Sequence, residues 1–134
     1  MSGTDPLHTA WFEKAEHDLE MIRRAMVADG APWDMVTFHA QQAAEKYLKG
    51  FLRFHETRPP KIHDLSRLLD LCLAHDESLA SLWAGCIELT DAGYQSRYPD
   101  TTDAPGEDVA THAIEIARNI ASAVLERVPK SKAP

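Results

Sequence analysis

An all-α, up-and-down antiparallel bundle of four long helices and one short helix is the fold this sequence predicts. Apolar residues recur at spacings of three and four in five separate segments. No alternating β-branched run appears, and helix formers dominate. Proline-containing breaks separate several of the segments, at Gly30 to Pro32, at Pro59-Pro60 and at Pro99 to Gly106.

The first helix is expected from about Pro6 to about Asp29. Asp5 suits the N-cap, and Pro6 suits the first helical position, where its missing N–H costs nothing. Leu7, Trp11, Ala15, Leu19, Ile22 and Met26 form its apolar stripe, while Glu13, Glu16, Glu20 and Arg24 take the wetter side. The second helix is expected from about Trp33 to about His55, with Ala40, Ala44, Tyr47, Leu48, Phe51 and Leu52 facing inward. Arg58-Pro59-Pro60 stops it, because a residue before proline is pushed out of the helical region. A short third helix, about Asp64 to His75, presents Leu65, Leu68, Leu69 and Cys72. The fourth, about Ser78 to Gln95, presents Leu79, Leu82, Cys86, Leu89 and Gly93. A loop from Arg97 to Gly106 follows. The fifth helix, about Glu107 to Val128, carries Val109, Ala113, Ile116, Ala117, Ile120, Val124 and Val128. Each stripe must be buried against another, and an antiparallel bundle does so with the least loop. Residues 1–134 are expected as one domain, with a frayed tail from about residue 129.

Composition narrows the function classes. The 134 residues are 44% hydrophobic and 26% charged, which is ordinary globular composition. No apolar run approaches the roughly 20 residues of a membrane-spanning helix. The start, MSGTDPLHTA, lacks the basic and apolar regions of a signal peptide, so a cytoplasmic location is the default expectation. Cys72 and Cys86 fit a reducing compartment and are too far apart for a zinc knuckle or a Cys-x-x-Cys redox site. A net charge of −7 disfavours generic nucleic-acid binding, so any anion site must be a local basic patch. No metal-ligand spacing, phosphate-cradling glycine loop or nucleophile elbow is present, and no cofactor is expected.

Three stretches carry a resemblance: Phe38-His39-Ala40-Gln41-Gln42-Ala43-Ala44-Glu45-Lys46-Tyr47-Leu48-Lys49, then His63-Asp64-Leu65, then Ser96-Arg97-Tyr98-Pro99-Asp100. In this order and spacing they resemble the HEPN domain, over about Trp11 to Val128. The resemblance implies a helical bundle, commonly a homodimer, often encoded beside a small nucleotidyltransferase as a toxin–antitoxin-like pair. Many members are metal-independent ribonucleases with an Arg-x4-6-His motif near the start of the last long helix. This sequence departs from that pattern: after Arg97 the next histidine is His112. Arg58 and His63 satisfy the count but flank the proline loop, in the wrong place for the motif.

Three groups of residues are candidates for binding a nucleotide or a partner. In the first, Arg97 offers a guanidinium fork suited to phosphate, Tyr94 and Tyr98 offer stacking surfaces, and Asp100 lies in the same loop. The competing reading pairs Arg97 with a loop carboxylate. The second is the cationic stripe Lys46, Lys49 and Arg53, continuing to Arg58 and Lys61. It is either a docking face for anions or a complement to the helix dipole. The third is His39-Ala40-Gln41-Gln42, which either joins an interhelical or inter-subunit hydrogen-bond network or lines a pocket; Gln42 and Lys46 are expected side by side. His63 is expected to bond to the neighbouring loop, beside Asp64 as a helix cap.

Three functions follow. The first is a nucleotide- or partner-binding module, with a homodimer, a nucleotidyltransferase partner and a mononucleotide ligand implied by the resemblance. The second is a ribonuclease using Arg97 with His39, His63 or His112. The third is a purely structural interaction protein, favoured if Trp33 or Trp83 lies exposed.

Overall fold

The computed structural model describes residues 7–27, 29–97 and 105–129. Five α-helices and one 3-10 turn lie within them: α1 (Leu7–Val27), α2 (Trp33–Phe54), α3 (Leu65–Leu73), the 3-10 turn Glu77–Leu82, α4 (Trp83–Arg97) and α5 (Glu107–Glu126). Among the described residues there is no strand, and the all-α bundle is as expected. Asp5 and Pro6 lie outside the described residues.

Helix α2 is the axis. It packs against α1, α3, α4 and α5, whereas α1 comes close to α2 and to no other described helix. The expected inner face of α2 is buried throughout. Burial extends further, to Val36, Thr37, Gln41, Ala43, Glu45, Lys49 and Gly50, so the helix is enclosed on nearly every side. Gly50 sets the spacing to α1, because a Cβ there would come within 2.5 Å of the Phe12 ring and 3.1 Å of Trp11 Cβ.

The ends of α2 are fixed by local chemistry. Beyond the C-cap His55, the N–H of Glu56 donates to Arg53 O and that of Thr57 to Leu52 O, at 3.0 and 2.9 Å. This pair of bonds is a Schellman closure. It holds Glu56 at a φ of 56°, a left-handed position more usual for glycine. The chain then turns through Arg58-Pro59-Pro60 to α3. Asp64 caps α3, accepting from the N–H groups of Ser66 and Arg67, and the Leu65 N–H donates to Thr90 Oγ1 on α4 at 2.9 Å.

Three expected features differ. The fourth helix is split, because Asp76 accepts from both the N–H and the hydroxyl of Ser78 and draws the chain into a tight 3-10 turn. Arg127 locks that turn by donating to Asp76 at 2.9 Å and to the Ser78 hydroxyl at 2.8 Å. On α5 the stripe is rotated: Val109 is exposed, while Ala110, Ile114 and Ala121 join Ala113, Ile116, Ala117, Ile120 and Val124 inside. On α1, Leu7 and Met26 are exposed, and Asp18 is buried with Ala15 and Ile22. The two cysteines are buried and free, and burial pushes each thiol up to about 12.

His55 stacks flat on His75, with ring centroids 4.4 Å apart. Burial, reinforced by that neighbour, holds His55 below its ordinary value of 6.5, and burial does the same to His8. Both rings are therefore protonated more readily in the unfolded chain. Their contribution to stability is intact above the ordinary value and is lost as the pH falls below it. Thermal unfolding followed by circular dichroism between about pH 7.5 and pH 5 is expected to show a falling Tm, with a shallower slope in His55→Gln; an unchanged slope would remove this pair as the cause. Independently, Gly50→Ala is expected to cost roughly 1–3 kcal/mol by overpacking, despite alanine's better helix propensity, as measured by urea denaturation. No loss there would show that the α1–α2 contact is loose.

Candidate functional site

Thr37, Gln41, Glu45 and Lys49 follow one another at four-residue steps along α2. At that spacing they form one column on the helix, and all four are buried. Buried polar groups need partners, and each of these has one. Thr37 donates its hydroxyl to Trp33 O at 2.8 Å. Gln41 Nε2 donates to the backbone oxygen of His63 at 2.9 Å and to Glu45 Oε1 at 3.3 Å. Glu45 Oε1 also pairs with His63 Nδ1 at 2.9 Å, and Glu45 Oε2 accepts from Lys49 Nζ at 3.0 Å. Lys49 Nζ lies 5.7 Å from the centroid of the Trp11 ring.

The column ends at Arg97. Its Nη2 donates to Gln41 Oε1 at 3.2 Å, and its guanidinium lies 5.4 Å from the centroid of the Phe38 ring. Gln41 Oε1 also accepts from Gln42 at 2.9 Å. This meeting of α2 and α4 depends on Gly93, where a Cβ would fall 2.7 Å from Gln41 Cγ. Arg97 is exposed and has no carboxylate partner among the described residues.

A second cluster ties α1 to α2. Asp18 Oδ1 meets His39 Nδ1 at 2.8 Å, and Asp18 Oδ2 accepts from Lys46 Nζ at 2.6 Å. One turn away, the Tyr47 hydroxyl donates to Glu16. Burial raises the Tyr47 pKa, and the neighbouring Glu16 carboxylate adds to the rise.

These positions correct several expectations. Arg97 is the last residue of α4 rather than part of the following loop, and it reaches back to α2. Lys46 and Lys49 are not an open cationic stripe; each is held by a carboxylate, Asp18 or Glu45. His63 bonds to Glu45 of α2 instead of to a neighbouring loop, yet its side chain stays 62% exposed. Gln42 bonds to Gln41, and Lys46 turns to Asp18. His112 pairs with Glu88 at 2.6 Å, on the α4–α5 side. Tyr94 is exposed, as is Trp83, while Trp33 is half-buried. Tyr98 and Asp100 lie outside the described residues. Sequence reading named Gln41 only within the His39–Gln42 group, as part of an interhelical hydrogen-bond network, and it missed Asp18 and Glu45. The four-residue polar repeat from Thr37 to Lys49 was the signal that could have found Glu45.

Chemically, the column sets a fork of cationic donors and an exposed imidazole, oriented by a buried carboxylate, on the two sides of one glutamine. A helical bundle with such an internal polar seam is a class of fold, and the comparisons give its family. Residues 8–128 match the HEPN domain model, and the chain belongs to the HEPN domain family. An archaeal HEPN homologue of known crystal structure is similar at 30% identity, with a TM-score of 0.72 over 91% of this chain and 98% of that one. No curated protein matches the chain.

Glu45 carries the seam's heaviest electrostatic duty, since Lys49 and Glu45 are both nearly sealed from water. Removing one partner of a buried pair leaves the other charged and unmatched. Glu45→Ala is therefore expected to cost about 3 kcal/mol, read as a shift in urea midpoint at constant slope. A cost below about 1 kcal/mol, the level of an exposed pair, would show the seam to be hydrated.

Proposed function

We propose that this chain is a HEPN-type binding domain that holds the phosphate of a mononucleotide at Arg97, and that it acts with a small nucleotidyltransferase in a toxin–antitoxin-like pair. One observation carries the ligand half of this reading. Among the described residues Arg97 contacts Gln41 and the Phe38 ring and no carboxylate, which leaves its fork free to take an anion. Such a fork suits a phosphate's paired oxygens. Tyr94, 57% exposed and three residues earlier on α4, offers an aromatic surface nearby. The pairing with a nucleotidyltransferase, and a homodimeric state, rest on the family's habits.

A second reading, a metal-independent ribonuclease, has one observation in its favour. Gln41 joins Arg97 to the His63 segment, and buried Glu45 orients the exposed His63 ring. An arginine for phosphorane charge and an oriented imidazole for proton transfer are the parts such a reaction needs.

The two readings separate in solution. In the binding reading, AMP raises the Tm of the wild type, by about 2.7 kcal/mol of added stability at a hundredfold excess over Kd, and Arg97→Ala abolishes the effect. Absence of any AMP stabilisation, or its survival in Arg97→Ala, would refute the assignment. Cleavage of RNA by the wild type that disappears in both Arg97→Ala and His63→Ala would move the conclusion to the ribonuclease.

A further inference from the structure

At the opposite end of α2, a cavity of about 390 Å³ is lined by Leu7 and Trp11 of α1, Lys49 and Arg53 of α2, and the loop Arg58-Pro59-Pro60-Lys61. Its size is within the range of small-ligand sites, about 300–1,000 Å³. Four of its eight lining residues are cationic, in a chain whose net charge is −7. Lys49 is already matched by Glu45. Arg53, Arg58 and Lys61 have no carboxylate within ion-pair distance among the described residues. Among the described residues, the acidic group beside them in sequence is Glu56, which lines an adjoining hollow with Arg53, Leu7, His8 and Phe54.

The helix dipole does not account for this concentration of charge. Arg53 is in the last turn of α2 and complements its carbonyl end. Arg58 and Lys61, however, lie beyond that end, on a segment stiffened by two prolines. The loop is anchored at its far side by the Gln41 bond to the His63 oxygen and by the Asp64 cap. The cations are thus held around an indole and two proline rings. Arg53 is twelve residues from Gln41, or about 18 Å along the helix axis, so the cavity is distinct from the Arg97 end.

We propose that this cavity is a second anion site, which takes a nucleoside di- or triphosphate: the polyphosphate against Arg53, Arg58 and Lys61, and the base against Trp11 and the prolines. Three unmatched cations call for a ligand with several charges, which a monophosphate lacks. The apolar floor calls for a flat or apolar body on the same molecule, which inorganic polyphosphate lacks.

The test uses the whole chain with Trp33→Phe and Trp83→Phe, so that Trp11 is the sole indole. ATP is expected to change Trp11 emission saturably. The double substitution Arg58→Ala, Lys61→Ala is expected to weaken this by about tenfold or more, the scale of one lost charge-assisted hydrogen bond. Arg97→Ala should leave it within about twofold, since sites this far apart are near-independent. Both loop residues are outside the core, so these variants are expected to fold. The indole N–H resonances of the wild type give the same reading without removing any tryptophan. Emission unchanged by ATP, or a response indifferent to the loop substitutions, would overturn the site. Equal affinity for tripolyphosphate would overturn its assignment to a nucleotide. Loss of the response in Arg97→Ala would transfer the signal to the other end of α2. Failure of the Arg97 reading shows separately, as absence of AMP stabilisation with the Trp11 response intact.

Discussion

The burial of α2 on all sides is the constraint that the rest of the structure answers to. A helix enclosed by its neighbours is ordinarily apolar all round. This one carries Thr37, Gln41, Glu45 and Lys49 into the interior, and every buried donor or acceptor it brings must be matched there. The neighbours are arranged to supply the matches. The loop before α3 presents the His63 backbone oxygen and imidazole. The end of α4 presents Arg97, and α1 presents the Trp11 ring to Lys49. Among the described residues no buried side-chain nitrogen or oxygen lacks a partner. A single column of side chains thus decides where three other elements can sit.

The weak member of the bundle is α1, which packs closely against α2 alone. An amphipathic stripe on a central helix would permit α1 to slide or rotate by a turn with little change in buried area. Asp18, shared between His39 and Lys46, and Glu16, accepting from Tyr47, fix the register because a shift of one turn would break three polar contacts together. Such pairs add little net stability beyond that of well-packed apolar residues of the same size. Their effect here is on uniqueness of position, with Gly50 providing the close approach that makes the contacts reachable.

Much of the fold was legible in the sequence because amphipathic stripes report burial directly. The helices α1, α2, α3 and α5 begin and end within a few residues of the positions that caps, prolines and periodicity mark, and Asp64 caps α3 as its sequence context suggests. The site was less legible, for a physical reason. A polar residue in an amphipathic helix is read as surface, and Glu45 and Lys49, four apart with opposite charge, look like an ordinary exposed pair. Only the enclosure of α2 turns them into an interior feature, and enclosure is a property of the whole bundle. Arg97 illustrates the same limit. Its place at the end of α4 depends on Gly93 admitting Gln41, a contact across 52 positions of chain that no local pattern encodes. The split before α4 escaped for a different reason, since the Asp76–Ser78 turn is stapled by Arg127 from the far end of the chain.

The net charge of −7 has less bearing on ligand choice than the distribution of that charge. Exposed charges are screened beyond about 8 Å at physiological ionic strength, so an anion approaching either end of α2 meets mainly what lies beside it. Several acidic groups are already engaged: Asp18 with Lys46, Glu45 with Lys49, Glu20 with Arg23 and Arg24, and Asp76 with Arg127. Toward the two ends of α2, Arg97 at one and Arg53, Arg58 and Lys61 at the other have no carboxylate partner among the described residues, with Asp34 and Glu56 as the acidic groups of those ends. The interior column between them holds its carboxylate and its ammonium in a mutual pair, so it is close to neutral and repels an anion at neither end. On the proposed readings, an acidic chain can in this way keep two separate basic sites, because local and not net charge sets what an approaching anion meets.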